Sequence, residues 1–228
     1  MKPGNIQVLY NFVKNHPIKR VLDLGTGIGA SAAIVALALK EKGADYHIDS
    51  LEQFDKCVKI AQTLIPKELQ EHLTIHKSEV KIISFPEIPY HYFSSFSFIP
   101  EEDYDLIIND GPGPFLENDK LIDLPNGTIM EMLSRIKSGA FVVWDGRSHM
   151  LKFLERYYAD NFWLTRPRQQ NSDNLNILER KDNPVLFKDT LLEDYKTTVY
   201  FKNNEDKKED NEKETSFTPD GAAASSVV

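Results

Sequence analysis

The 228-residue sequence holds a single cysteine, Cys57. That excludes an internal disulfide framework and any zinc site built from several thiolates. A reduced, cytoplasmic setting is the default for such a chain. Long apolar runs are also missing. The longest nearly unbroken one, Ala30 to Leu39, makes a helix of about 15 Å, half of a roughly 30 Å hydrocarbon core. No membrane span is expected, and Met1 to Tyr10 has no apolar core of the signal-peptide kind. Positive charge is in deficit: 27 Lys and Arg stand against 35 Asp and Glu, a formal net charge of −8. Sequence-independent nucleic-acid binders draw their affinity from neutralising phosphates, so nucleic acid is not an expected partner.

What remains is a globular composition, 41% hydrophobic and 27% charged. The length suits one large domain or one domain with a tail. Composition changes after Lys202. Residues 203–214 carry six acids, three lysines and no apolar side chain. Such a segment cannot bury enough surface to offset chain ordering. The expected organisation is a folded domain over 1–202 and a disordered acidic and polar tail over 203–228. With Asp220 the tail holds seven acids and three bases, net −4, which leaves the folded part at −4.

Short apolar runs alternate with helical spacings along the domain. Strands are expected at Arg20–Leu24, Tyr46–Leu51, Leu73–His76, Asp105–Asn109, Phe141–Trp144, Phe162–Arg166 and Leu175–Glu179. Thr197–Phe201 is a candidate for one more. Helices are expected at Ile6–Lys14, Ser31–Lys42 with Gly43 as its C′ residue, Asp55–Leu64 with an Asp cap, Gly127–Lys137 and His149–Asp160. This alternation predicts an α/β fold: a Rossmann-like, doubly wound, mostly parallel seven-stranded sheet with helices on both faces. Ligands of such sheets bind beyond the carboxyl ends of the strands. The residues just past each strand therefore matter most.

The stretch Val21-Leu-Asp-Leu-Gly-Thr-Gly-Ile-Gly29 is the most informative. Gly25, Gly27 and Gly29 allow a tight turn and close backbone approach to a ligand, with Thr26 between them. Glu52 ends the next strand, 23 residues after Gly29, where a carboxylate can accept both hydroxyls of a ribose. The glycines alone also fit a dinucleotide fingerprint. Asp23 favours another ligand, because a carboxylate near this turn repels a pyrophosphate and attracts an amino group and a sulfonium.

Asp23, the three glycines and Glu52 together resemble the class I S-adenosylmethionine-dependent methyltransferases, with DLGTGIG as their first motif. The likeness runs from about Ile18 to Glu179. It implies that Asp23, Gly25, Thr26, Gly27 and Gly29 hold the methionine end, that Glu52 holds the ribose, and that Glu79 and Val80 lie at the adenine. The segment Tyr104–Gly111 resembles the strand that brings a polar residue, here Asp110, to the methyl group. Lys137–Asp145 resembles the family's fifth-strand segment. In the cation-dependent O-methyltransferases two carboxylates at the positions of Asp110 and Asp145 hold a divalent ion, so Mg²⁺ is a candidate cofactor. The third ligand of that branch, an Asn, is replaced by Gly146.

Without metal the reaction needs a base, for which Asp110, Asp145 and His149 are candidates. Arg147 could bind an anionic group of the acceptor. Phe85–Pro100 carries six aromatic residues and reads either as a packed hairpin or as a wall over an apolar acceptor. Gly111-Pro-Gly-Pro-Phe115 predicts a rigid turn at the mouth of the site. The expected activity is methyl transfer to a small molecule, at a hydroxyl oxygen. The alternatives are an NAD(P)-dependent oxidoreductase and a non-catalytic methyltransferase-like subunit, and a homodimer is compatible with any of the three.

Overall fold

The computed structural model describes residues 3–86, 88, 91–145, 162–166, 175–180 and 198–199. Helix α1 (Pro3–Asn15) leads into β1 (Arg20–Leu24), α2 (Ala30–Glu41), β2 (His47–Glu52), α3 (Asp55–Leu64), the short α4 (Lys67–Gln70) and β3 (Leu73–Lys77). A hairpin, β4 (Val80–Ile83) with β5 (Phe93–Phe96), precedes β6 (Leu106–Asn109). A second hairpin, β7 (Phe115–Glu117) with β8 (Lys120–Ile122), follows it. Then come α5 (Thr128–Glu131), a 3₁₀ turn (Leu133–Arg135), β9 (Phe141–Asp145), β10 (Phe162–Arg166), β11 (Leu175–Arg180) and β12 (Thr198–Val199).

Eight of the described strands form one sheet in the order β3-β2-β1-β6-β9-β11-β10-β12. The β3, β2, β1, β6 and β9 pairings are parallel. β11 runs antiparallel to β9 and β10 antiparallel to β11. The two-residue β12 pairs with β10. The fold class is therefore the expected mostly parallel α/β sheet, with eight strands rather than seven because Thr198 and Val199 extend the β10 edge.

Period-two alternation divides the sheet residues between two cores. Val21, Ile48, Ile108 and Val143 pack beneath α1 and α2, against Leu9, Phe12, Val35 and Leu39. Leu22, Leu24, Leu51, Ile107 and Trp144 face the other way. Among the described residues, the β4–β5 hairpin and α5 cover that second face, through Phe93, Phe96, Ile129 and Met130. Each such side chain stabilises the fold by about 1.5–3 kcal/mol on burial. Among the described residues, no helix is long and apolar enough to cross a membrane.

Most element ends agree with the sequence pattern to within about two residues. Gly43 terminates α2 as expected: its φ is +69°, its N–H donates to Lys40 O at 3.0 Å, and Ala44 N–H donates to Leu39 O at 3.2 Å. That pair of bonds is the Schellman arrangement. Two local expectations fail. Asp55 does not cap α3, because it lies inside the first turn and Phe54 occupies the cap position without a side-chain bond. The helix expected over Gly127–Lys137 tightens after Glu131 into the 3₁₀ turn, where Arg135 N–H donates to Met132 O at 2.7 Å. The helix expected at 149–160 and the tail at 203–228 lie outside the described residues.

Candidate functional site

The turn after β1 is built almost wholly from backbone. Gly25 N–H and Thr26 N–H both donate to Leu51 O, at 3.0 and 2.9 Å, and Gly29 N–H donates back to Thr26 O at 2.8 Å. The Thr26 hydroxyl lies 2.6 Å from Ser50 Oγ and 3.1 Å from Leu51 O. Gly25 has φ +103° and touches the backbone of Gly111: a Cβ there would fall 2.7 Å from Gly111 N. The turns after β1 and β6 thus meet without any side chain between them.

Glu52, 4% exposed, crosses from β2 to this turn. One carboxylate oxygen accepts from Gly27 N–H at 2.8 Å and the other from Phe54 N–H at 2.8 Å. The bond to Phe54 holds the first residue of the α3 entrance, which accounts for a helix start that needs no cap from Asp55. Each oxygen keeps a lone pair toward the cleft.

Asp23 lies elsewhere than its expected role suggests. Strand parity turns it onto the α2 face, fully buried beneath the turn. Its carboxyl accepts from Ser31 Oγ at 3.0 Å and from Ser50 Oγ at 2.8 Å. Burial pushes its pKa up to about 7; the two serine hydroxyls oppose that rise, and Asp110 and Glu52 add to it. Its place is under the ligand turn rather than in the cleft.

A cleft of about 240 Å³ opens at this junction. Of the residues expected from sequence, Gly25, Gly27, Glu52 and Asp110 line it. Phe96 from the aromatic segment and Gly113 from the expected turn at the mouth line it as well, and so do Gln53, Phe54 and Cys57, which nothing in their local sequence marks. A wider depression of about 500 Å³ lies on α3 around Lys56, Ile60 and Leu64. It has no carboxylate and no glycine turn, so the smaller cleft is the chemically equipped one.

Asp110 follows β6, its N–H donating to Leu24 O at 2.9 Å. The loop it begins is gripped from both sides. Asn126 Nδ2 donates to Asn109 Oδ1 at 2.8 Å and also to Gly111 O. On the other side Gly113 N–H donates to Gln53 Oε1 at 2.7 Å and Gln53 Nε2 donates to Pro114 O at 2.9 Å. Glu79 sits between β3 and β4 and Val80 opens β4, Glu79 exposed and neither lining the cleft. The neighbour of Glu52 is instead Ser78, whose N–H donates to Glu52 O at 2.9 Å. The aromatic segment forms a packed hairpin, with Phe93 and Phe96 buried and Tyr92 and Phe98 exposed.

Asp145 closes β9; its side chain, with Arg147 and His149, lies outside the described residues. Among the described residues no three His, Cys, Asp or Glu side chains come together to hold a metal ion.

Neither protein-family models nor curated proteins match the sequence. Solved structures do. An S-adenosylmethionine-dependent O-methyltransferase from Thermotoga maritima is 17% identical, with 79% of this chain and 66% of that one covered at a TM-score of 0.51. An O-methyltransferase from Bacillus cereus, in complex with S-adenosylhomocysteine, is 13% identical, with 79% and 82% covered at 0.51. A precorrin-6y C5,15-methyltransferase from Geobacter metallireducens is 14% identical, with 79% and 90% covered at 0.50. The fold is that of the class I S-adenosylmethionine-dependent methyltransferases. The dinucleotide-binding sheet runs 3-2-1-4-5-6, whereas here the antiparallel β11 is inserted between β9 and β10.

Proposed function

We propose that the chain is an S-adenosylmethionine-dependent methyltransferase whose acceptor is a small molecule, methylated at a hydroxyl oxygen. One observation carries the reading: the cleft joins a positive-φ glycine turn to a buried carboxylate at the end of β2, in a sheet with an antiparallel strand beyond β9. The close contact of Gly25 with Gly111 leaves exposed backbone where the methionine end would lie, along Gly25 and Gly27. Thr26 and Gly29 shape the turn, and Asp23 braces it from below through Ser31 and Ser50. The free lone pairs of Glu52 suit two ribose hydroxyls. Glu79 and Val80 are assigned to the adenine side, beyond Ser78.

When bound, the cofactor supplies a methyl group on a cationic sulfur. The protein's task is alignment and proton removal, of which alignment is the larger part. Asp110 lines the cleft on the acceptor side and is the base assigned to take the hydroxyl proton as the acceptor oxygen gains the methyl group. Asp145 and His149 are further candidates for that proton, and Arg147 for an anionic group on the acceptor. The −4 charge of residues 1–202 disfavours a nucleic-acid acceptor.

Calorimetry decides the first step: S-adenosylhomocysteine should bind and NADH should not. NADH binding without S-adenosylhomocysteine binding overturns the proposal. Transfer of a labelled methyl group to a panel of hydroxyl, amine and carboxylate acceptors, with and without Mg²⁺, then tests the acceptor and the metal. Cofactor binding without transfer to any acceptor would favour a non-catalytic subunit.

A further inference from the structure

At about 240 Å³ the cleft falls below the roughly 300–1,000 Å³ of pockets that hold drug-sized molecules, so a rim contact that opens would ease entry of the assigned ligand. Among the described residues the rim has two kinds of polar tie, and they differ in burial.

The tie from Asn126 is permanent in character. Asn126 is 1% exposed and Asn109 is fully buried. The amide of Asn126 is also engaged by Thr128 N–H, at 2.8 Å. Breaking these bonds would strand buried polar atoms, which is costly. The tie from Gln53 is of another kind. Gln53 and Gly113 are only half-buried, and Pro114 is exposed. Water can replace each of these bonds when it opens, so the net cost of opening is small.

The position of the Gln53 tie matters as much as its strength. Gln53 directly follows Glu52, the residue assigned to the ribose. Gly113 is three residues beyond Asp110, the residue assigned to the acceptor. Both Gln53 and Gly113 line the cleft. The Gln53 side chain therefore spans from the β2 side to the β6 side of the space that a cofactor lying from Glu52 to Asp110 would occupy.

We infer that Gln53 is a positioning residue that straps the Asp110–Pro114 loop to the end of β2 in the free protein and releases it when the cofactor enters. Asn126 is the fixed side of the same loop and Gln53 the movable side. Release would free the β7–β8 hairpin, which starts at Phe115, immediately beyond the strapped Pro114. Cofactor occupancy would thereby set the position of the acceptor side. This rests on the proposed cofactor cleft, and the test separates the two.

The strap is read first without any ligand, from the exchange of the Gly113 amide followed by NMR in the full chain. In the wild-type protein that amide should be protected. Gln53→Ala should speed its exchange about tenfold, the loss expected for one or two part-exposed hydrogen bonds. Gln53→Glu keeps the acceptor for Gly113 and loses the donor to Pro114, so it should be intermediate. The second readout is the association rate of S-adenosylhomocysteine, which Gln53→Ala should raise severalfold. Equal Gly113 exchange in wild type and Gln53→Ala means that there is no strap. Faster exchange with an unchanged or slower association rate means that the strap does not lie on the cofactor's route. Either result overturns the inference. Absence of S-adenosylhomocysteine binding by the wild-type protein would instead overturn the cofactor reading, and with it the release step, while Gly113 exchange still decides whether Gln53 holds the loop.

Discussion

The two halves of the cleft are built by different means. On the half assigned to the cofactor, the turn after β1 is held by its own backbone and by β2, through bonds to Leu51 O and the Glu52 carboxylate. On the half assigned to the acceptor, the loop after β6 is held by side chains from distant positions, Gln53 and Asn126. Two buried donors there, Asn109 Nδ2 and Trp144 Nε1, have no hydrogen-bond partner among the described residues. The first half is a rigid cradle specified locally. The second is an assembly whose parts come from several places in the chain.

The sharpest test of that contrast is Gly25, where the backbones of the two turns touch. A Cβ at Gly25 would meet the backbone of Gly111 at 2.7 Å with φ at +103°. Backbone cannot swing aside as a side chain can, so Gly25→Ala should cost on the order of 3 kcal/mol or more by chemical denaturation. At Gly29 the obstruction is Ile65 Cδ1, also at 2.7 Å, the end of a flexible side chain. At Gly27 nothing lies within 4 Å, and only the left-handed conformation is strained, by about 1–2 kcal/mol. The expected order of loss is Gly25, Gly29, Gly27. A Gly25→Ala variant no less stable than Gly27→Ala would mean that the two turns are not in contact.

The next largest effect belongs to Asp23. Its folded-state pKa of about 7 lies above the ordinary carboxyl value of 3.8, so the fold favours the protonated form. Its contribution to stability is complete below the unfolded value and is lost as pH rises through about 7. The raised value corresponds to about 4 kcal/mol over that window. Asp23→Asn should flatten the pH dependence of unfolding between about pH 4 and 7 and raise stability most at the upper end. An unchanged slope would show that the buried carboxyl titrates as a solvent-exposed one does.

Legibility follows the same division. The β1 strand, its glycine turn and the β2 carboxylate are readable because a parallel strand is a short apolar run and a tight turn needs glycine at fixed spacing. Even there, Asp23 is recognised without its burial, since its position under the turn depends on Ser31 and Ser50 across the sheet face. On the acceptor side Asp110 is readable as the residue after a strand, yet Gln53 and Asn126 are not. Gln53 reaches Gly113, 60 residues along the chain, and no local spacing records such a bond. At α5, Gly127 lies against Phe93, a Cβ there meeting its Cβ at 2.7 Å, and this contact, 34 residues away in sequence, fixes where the helix starts.

A smaller effect, read on ligand binding, belongs to Glu52. Glu52→Ala removes the acceptor for Gly27 and Phe54 and, on the proposed function, for the ribose hydroxyls. Loss of such buried pairings should weaken S-adenosylhomocysteine binding by about 1–3 kcal/mol, read by calorimetry. Unchanged affinity would place the ribose elsewhere.

The smallest effect on stability tests the acceptor half alone. Leu116 and Leu121 are cross-strand partners on the β7–β8 hairpin, 71% and 69% exposed. A buried leucine would lose about 2–5 kcal/mol on truncation. These two face solvent, so Leu116→Ser should change unfolding free energy by no more than about 0.5 kcal/mol. If Leu116→Ser destabilises the protein as a core leucine would, the hairpin belongs to the scaffold, and the division between a rigid cradle and an adaptable acceptor side fails at that point.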